Sequence, residues 1–232
     1  MIRKFLNARS PMRLMEKGLH GGLGIGNVGL LLAGHGVGKT SFLVGVALDE
    51  LLRGGSVLHV SLDQTVAHVR AYYDTLYETL AASTHLEDAS VTHSEIDQNR
   101  SIRSYLQADF SSSKLREAVK VDSEAGTRPS LLVLEGLDSS QIDREQVMDI
   151  RALADEIAAE VWLSLPITGE RVDGIPLDLK PIEDGLSVVL ALEPGHDGQD
   201  TVVLRAIKDH DSDDLSALHV ALDPKTLLLI RN

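Results

Sequence analysis

Val28-Gly29-Leu30-Leu31-Leu32-Ala33-Gly34-His35-Gly36-Val37-Gly38-Lys39-Thr40-Ser41 is the stretch on which the reading of this chain turns. Its first six residues form a short apolar run with no alternation, the mark of a strand buried on both faces. Phe42 to Leu52 then repeats apolar residues at helical spacing. A strand passing through a glycine-rich turn directly into a helix predicts an α/β protein. The turn follows the pattern G-x-x-x-x-G-K-[ST], with Ala33 in place of the first glycine. Gly34, Gly36 and Gly38 allow a tight turn whose backbone N–H groups point inward, in conformations costly for residues with a Cβ. The helix starting near Lys39 adds the positive end of its dipole. Phosphate groups are what such a cradle holds. Lys39 would supply a mobile ammonium for β- and γ-phosphates, and the Thr40 hydroxyl a ligand for Mg²⁺. Gly34, His35, Gly36, Val37, Gly38, Lys39, Thr40 and Ser41 are therefore the expected nucleotide-binding residues, with His35 pointing outward by default.

Working outward, Gly18 to Gly29 holds six glycines and reads as a loop. Residues 1–17 form a basic segment, read as a short helix against the body. A second strand is expected at Ser56 to Leu62 and a helix at Val66 to Ala82, on which Tyr72, Tyr73, Leu76, Tyr77 and Leu80 make a packing stripe. Residues 83–127 are polar and read as an irregular insertion, with a short strand near Val91 and a helix at Lys114 to Val121. Leu131 to Leu134 and Val161 to Leu165 are further buried strands, separated by a helix over Arg144 to Glu160. After Pro181, Leu186–Leu192, Thr201–Ala206, Ala217–Ala221 and Thr226–Ile230 read as an antiparallel meander. The expectation is one domain over residues 1–232: a mostly parallel, twisted sheet flanked by helices, closed by a C-terminal antiparallel β-meander.

Composition narrows the function. Thirty-five acidic residues against twenty-two basic ones give a net charge of −13, which opposes binding to nucleic acid through phosphate neutralisation. With no cysteine, thiolate catalysis, disulfides and Cys-based metal sites are excluded. No run approaches the roughly 18 apolar residues of a membrane span, and no signal-peptide core follows the basic start, so a cytoplasmic protein is expected. Nine histidines show no paired ligand spacing, and Lys208 to Asp214 reads as a solvated turn rather than a metal loop.

Carboxylates at strand ends complete the chemistry. Glu135 follows Leu131-Leu132-Val133-Leu134, where it could assist the metal; Asp138 is an alternative. Asp63, after the second strand, could polarise an attacking water as general base, or cap the next helix. Thr168, after the fourth strand, could sense a γ-phosphate or be an ordinary loop residue. The expected catalytic group is thus Lys39, Asp63 and Glu135, with Thr40 and Glu135 at the metal.

Together, Gly21-Gly22-Leu23-Gly24-Ile25-Gly26, the phosphate loop, Ser56 to Gln64 and the closing meander resemble the RecA superfamily of P-loop ATPases, most closely its KaiC-like branch. The likeness covers roughly residues 18–80, 129–168 and 185–231. It implies a RecA-like core that binds ATP with Mg²⁺, and a ring or filament, commonly a hexamer, with nucleotide between subunits. It also implies a Lys and an Arg offered from the late hairpin to a neighbour's γ-phosphate, the stretch that reads here Arg205-Ala206-Ile207-Lys208. The family's glutamate pair is Asp63-Gln64 here and its metal-assisting aspartate is Glu135, so slow or partner-dependent hydrolysis serving assembly or regulation is the expected activity. A nucleotide-sensing module without catalysis, acting on a protein partner, is the alternative; a DNA recombinase is a third reading that the acidic balance disfavours.

Overall fold

The apolar runs of the sequence lie side by side in one sheet in the computed structural model, which describes residues 11–169, 171–195 and 201–223. Its eight strands are β1 (Val28–Ala33), β2 (Val57–Ser61), β3 (Arg100–Ser104), β4 (Leu131–Glu135), β5 (Glu160–Pro166), β6 (Val188–Pro194), β7 (Val202–Asp209) and β8 (His219–Leu222). They stand in the order β3-β2-β4-β5-β1-β6-β7-β8. β1 to β6 run parallel, and β7 and β8 add antiparallel to the β6 edge. The fold is α/β with a mixed, mostly parallel sheet, as the alternation of strands and helices predicts. β6 departs from the expected meander by pairing parallel to β1, so the antiparallel series begins one strand later. The expected strand at 226–230 lies outside the described residues, as do residues 1–10.

Helices cover both faces, which is why the central strands read as unbroken apolar runs. α1 (Pro11–Gly18), α2 (Lys39–Arg53), α3 (Val66–Thr84) and α4 (Ala89–Asn99) lie on one face, packed on Leu31, Ala33, Val133 and Trp162. α5 (Ser112–Glu124), α6 (Arg144–Ile157) and a 3-10 segment at Leu177–Gly185 cover the other, against Val28, Leu30, Leu32, Leu134 and Leu163. At the centre, Gly29 has no room for a side chain: a Cβ there would lie 2.6 Å from the ring of buried Trp162.

The polar stretch 83–127 is more regular than expected: it holds α4, β3 and α5, the last covering the helix expected at Lys114 to Val121. Val91 belongs to α4 rather than to a strand; it is exposed, while Thr92 and Ile96, four apart, turn inward. The strand comes later, at β3, which pairs parallel with β2 at the sheet edge. Its Arg-Ser-Ile-Arg-Ser sequence is only half-buried because, among the described residues, no strand pairs with its outer side. Its arginines are held individually, Arg100 over the Tyr73 ring at 4.5 Å and Arg103 on Asp122 at 2.6 Å. α6 ends at Ile157, three residues short of the expected Glu160, because Ala158 adopts a left-handed conformation and the chain turns at once into β5. Among the described residues no helix is long and apolar enough to cross a membrane.

Candidate functional site

Parallel strands end on the same edge, so the segments after β1, β2, β4 and β5 converge there, the position at which ligands bind in open α/β sheets. The segment after β1 is the Gly34–Gly38 turn. Gly36 (φ 75°) and Gly38 (φ 107°) take left-handed conformations, which explains why these positions carry glycine. Gly34 sits close to the segment after β5: a Cβ on it would lie 3.2 Å from the Gly169 carbonyl oxygen. Gly38 begins α2 without a side-chain cap, leaving that 15-residue helix's first N–H groups facing the turn.

Lys39 folds back over this turn, its Nζ 3.3 Å from the Gly34 carbonyl and 3.5 Å from that of Ala33. Partial burial lowers its pKa, and attraction to Asp63 and Glu135 opposes the shift. Both carboxylates named from the sequence therefore act electrostatically on this ammonium. His35 is exposed and points outward as expected. Ser41 lines a cavity of about 250 Å³ shared with His68, Ala71, Tyr72, Thr75 and Leu76 of α3.

Glu135, the last residue of β4, is only 2% exposed. Strand register places it opposite Ser61, and the alternation of β2 puts His59 on the same face one pleat earlier. His59 Nε2 lies 3.3 Å from Glu135 Oε1, and His59 Nδ1 lies 3.0 Å from the Tyr73 hydroxyl. This 3.3 Å contact lacks hydrogen-bond alignment, so Glu135 Oε1 and His59 Nε2 have no hydrogen-bond partner among the described residues. Ser164 Oγ, on the neighbouring strand, is likewise buried and unbonded. Burial pushes the Glu135 carboxyl upward; His59 and the hydroxyls of Thr40 and Ser61 outweigh that and hold it below the ordinary range.

That balance has a consequence for stability. Because the folded state prefers Glu135 ionised, its contribution is complete above the ordinary glutamate pKa of 4.5 and is lost as pH falls through the lowered folded value. Between pH 7 and pH 3 the wild-type chain should therefore lose more stability than Glu135→Gln, as read from urea midpoints. Equal losses would mean that Glu135 titrates alike in the folded and unfolded states.

Asp63 is exposed and stands against the backbone just beyond Glu135. A Cβ on Gly136 would lie 2.5 Å from Asp63 Cγ, and Gly136 is itself left-handed at φ 76°. Ser61 Oγ donates to Asp63 Oδ1 at 3.1 Å, and the backbone N–H of Gln64 donates to Ser61 Oγ at 3.1 Å. Asp63 is not a helix cap: Thr65 caps α3, accepting from the His68 N–H at 3.2 Å. Asp138 is spent on its own turn, accepting from the N–H and hydroxyl of Ser140 at 2.9 and 2.8 Å. Thr168 is exposed on the segment after β5.

The structure thus brings Lys39, Thr40, Asp63 and Glu135 together, but not Arg205 and Lys208. Arg205 grips buried Glu193 through two bonds of 3.0 and 2.9 Å and also reaches the Val172 carbonyl. Lys208 donates to the carbonyls of Glu183 and Leu186, at 2.9 and 2.7 Å. Leu186 precedes β6, at the sheet edge opposite the Gly34–Gly38 turn. Both cations are therefore engaged within their own chain. The 208–214 turn is also more than a solvated loop. Asp209 is 1% exposed and bonds His20 at 2.7 Å and His210 at 2.8 Å, and His210 also meets the Leu23 carbonyl at 3.1 Å. No group of three or more His, Asp or Glu able to hold a metal by itself occurs among the described residues.

Sequence reasoning did not place His59, Ser61, Gly136 or Ser164 at the site, and it named Tyr73 for packing, where the structure buries it in the core. A histidine and serines interrupting buried apolar strands were the available signal; their common neighbour Glu135 was not visible without the register. In comparisons with known proteins, no family model matches the chain, and no curated protein matches it.

Proposed function

We propose that this chain is a RecA-like, KaiC-like P-loop protein that binds ATP with Mg²⁺ at the Gly34–Thr40 turn and hydrolyses it slowly or only with a partner. The observation that carries this reading is the convergence of Lys39, Thr40, Asp63 and Glu135 on one sheet edge, with Lys39 over a left-handed glycine turn. The turn's N–H groups and the Lys39 ammonium would hold the phosphates. Thr40 and Glu135 would hold the metal, and the buried Ser164 Oγ, without a hydrogen-bond partner among the described residues, fits a site that takes up water around a cation. Bound Mg²⁺ would neutralise charge on the β- and γ-phosphates.

Hydrolysis by this site is an in-line displacement. The water oxygen bonds to the γ-phosphorus as the bond to the β–γ bridging oxygen breaks. Asp63, exposed at the rim, accepts the water's proton, while Lys39 takes up charge on the phosphates. The alternative, a sensor that binds nucleotide without turnover to govern assembly or a protein partner, draws support from two observations. Gln64 is uncharged beside Asp63, and Arg205 and Lys208 are already occupied at home. A homo-oligomer sharing nucleotide between subunits would require Arg205 to leave Glu193.

Phosphate release from ATP, measured over a range of protein concentrations beside calorimetric binding, separates these readings. Release rising faster than linearly indicates a shared site, and linear release a self-contained one. Tight binding with no release at any concentration supports the sensor. No binding of ATP with or without Mg²⁺ overturns the nucleotide reading altogether.

A further inference from the structure

We propose that His59 and Tyr73 clamp the Glu135 carboxylate in place, making His59 a positioning residue of this site; the inference rests on the nucleotide reading above. His59 and Tyr73 are 0% exposed and Glu135 2%. The three form a line from α3 through β2 to β4: Tyr73 hydroxyl to His59 Nδ1 at 3.0 Å, then His59 Nε2 to Glu135 Oε1 at 3.3 Å. Arg100 stacks on the far side of this line, 4.5 Å from the Tyr73 ring centre.

Geometry explains why the residue at 135 is glutamate. His59 pairs with Val133, two residues before the Ser61–Glu135 pair, a distance along the strand of roughly 6.6 Å. Glu135 must turn its carboxyl back along β4 to meet His59, and an aspartate, one methylene shorter, would not span that gap. Glutamate at 135 and histidine at 59 therefore belong together. Register sets Ser61 opposite Glu135 at the ends of β2 and β4, on the sheet edge that carries the glycine turn, so the clamp sets which way the carboxyl faces toward a cation held with Thr40. Groups that support a metal's ligands in this manner commonly change its affinity by about 10- to 100-fold when removed. A histidine that merely filled the core would not affect the metal at all.

Mn²⁺ in place of Mg²⁺, followed by electron paramagnetic resonance with a non-hydrolysable ATP analogue, provides the test. His59→Leu should weaken Mn²⁺ binding by roughly 10- to 100-fold, with analogue affinity in EDTA unchanged, and His59→Gln, which restores a side-chain N–H, should recover most of the loss. Imidazole ¹⁵N shifts of nucleotide-free protein report the clamp directly, and Glu135→Gln should move the His59 signals. Where His59→Leu fails to fold, Tyr73→Phe keeps the ring and removes only the hydroxyl, and should weaken Mn²⁺ several-fold. Wild-type Mn²⁺ affinity in a folded His59→Leu or Tyr73→Phe variant overturns the clamp while leaving the nucleotide reading intact. Absence of analogue binding in the wild type overturns the nucleotide reading and this inference with it, even if the ¹⁵N shifts respond.

Discussion

Lys39→Ala should weaken ATP binding by about 10- to 100-fold, matching the loss of charge-assisted hydrogen bonds of roughly 1.5–3 kcal/mol, without unfolding the chain. The two halves of this expectation have different causes. Binding suffers because this ammonium lies over the glycine turn, against the Ala33 and Gly34 carbonyls. Stability is spared because its intrachain partners are two long carbonyl contacts, and because burial already works against its charge. The thermal midpoint should stay level or rise slightly, since removing a partly desolvated charge relieves a cost. Calorimetry with and without Mg²⁺, beside a thermal melt, checks both halves. Unchanged affinity in a folded variant would remove the main support for a phosphate site.

Gly136→Ala should be the more damaging change for stability, by roughly 2–6 kcal/mol. Left-handed backbone at φ 76° costs a side-chain-bearing residue about 1–3 kcal/mol, and overpacking adds about 1–3 kcal/mol. The new methyl would fall 2.5 Å from Asp63 Cγ, so Asp63 must swing away from Glu135 and give up its bond from Ser61. The Gly136 carbonyl, which accepts from Gln107 Nε2 at 2.6 Å, would shift with it. A lower urea midpoint is expected, together with ATP binding retained and any phosphate release lost. Adding Asp63→Ala should restore part of the stability but none of the turnover, a coupling that a double-mutant cycle measures. Equal midpoints for Gly136→Ala with and without Asp63→Ala would mean that the Asp63 carboxylate never occupied that space.

How much of this was legible beforehand varied with the kind of interaction. β1, the glycine turn and α2 were readable because their signal is local: an apolar run, glycines where the backbone turns left-handed, and apolar residues at helical spacing. β4 and β5 were readable for the same reason, being buried on both faces. β3 was not, because an edge strand needs few apolar residues and its order comes from β2, roughly forty positions away in the chain. α6 was read three residues too long because apolar spacing does not register the left-handed turn at Ala158.

The candidate site divides along the same line. Lys39, Thr40, Asp63 and Glu135 could each be named from position, as residues at the ends of expected strands or within the turn. Whether Asp63 capped a helix was open until Thr65 took that role, and Asp138 remained an alternative until Ser140 claimed it. Arg205 and Lys208, which the resemblance offers to another subunit, are held in this chain by Glu193 and by three main-chain carbonyls, those of Val172, Glu183 and Leu186. The sequence by itself determined the alternating strand-and-helix order, the left-handed glycine turn and the acidic, cysteine-free composition, since these depend on neighbours along the chain. Only the tertiary structure decided that buried His59, Tyr73 and Glu135 form one polar line beside half-buried Thr40, because strand register and helix packing join residues from β2, α3, α2 and β4 that no spacing in the chain connects.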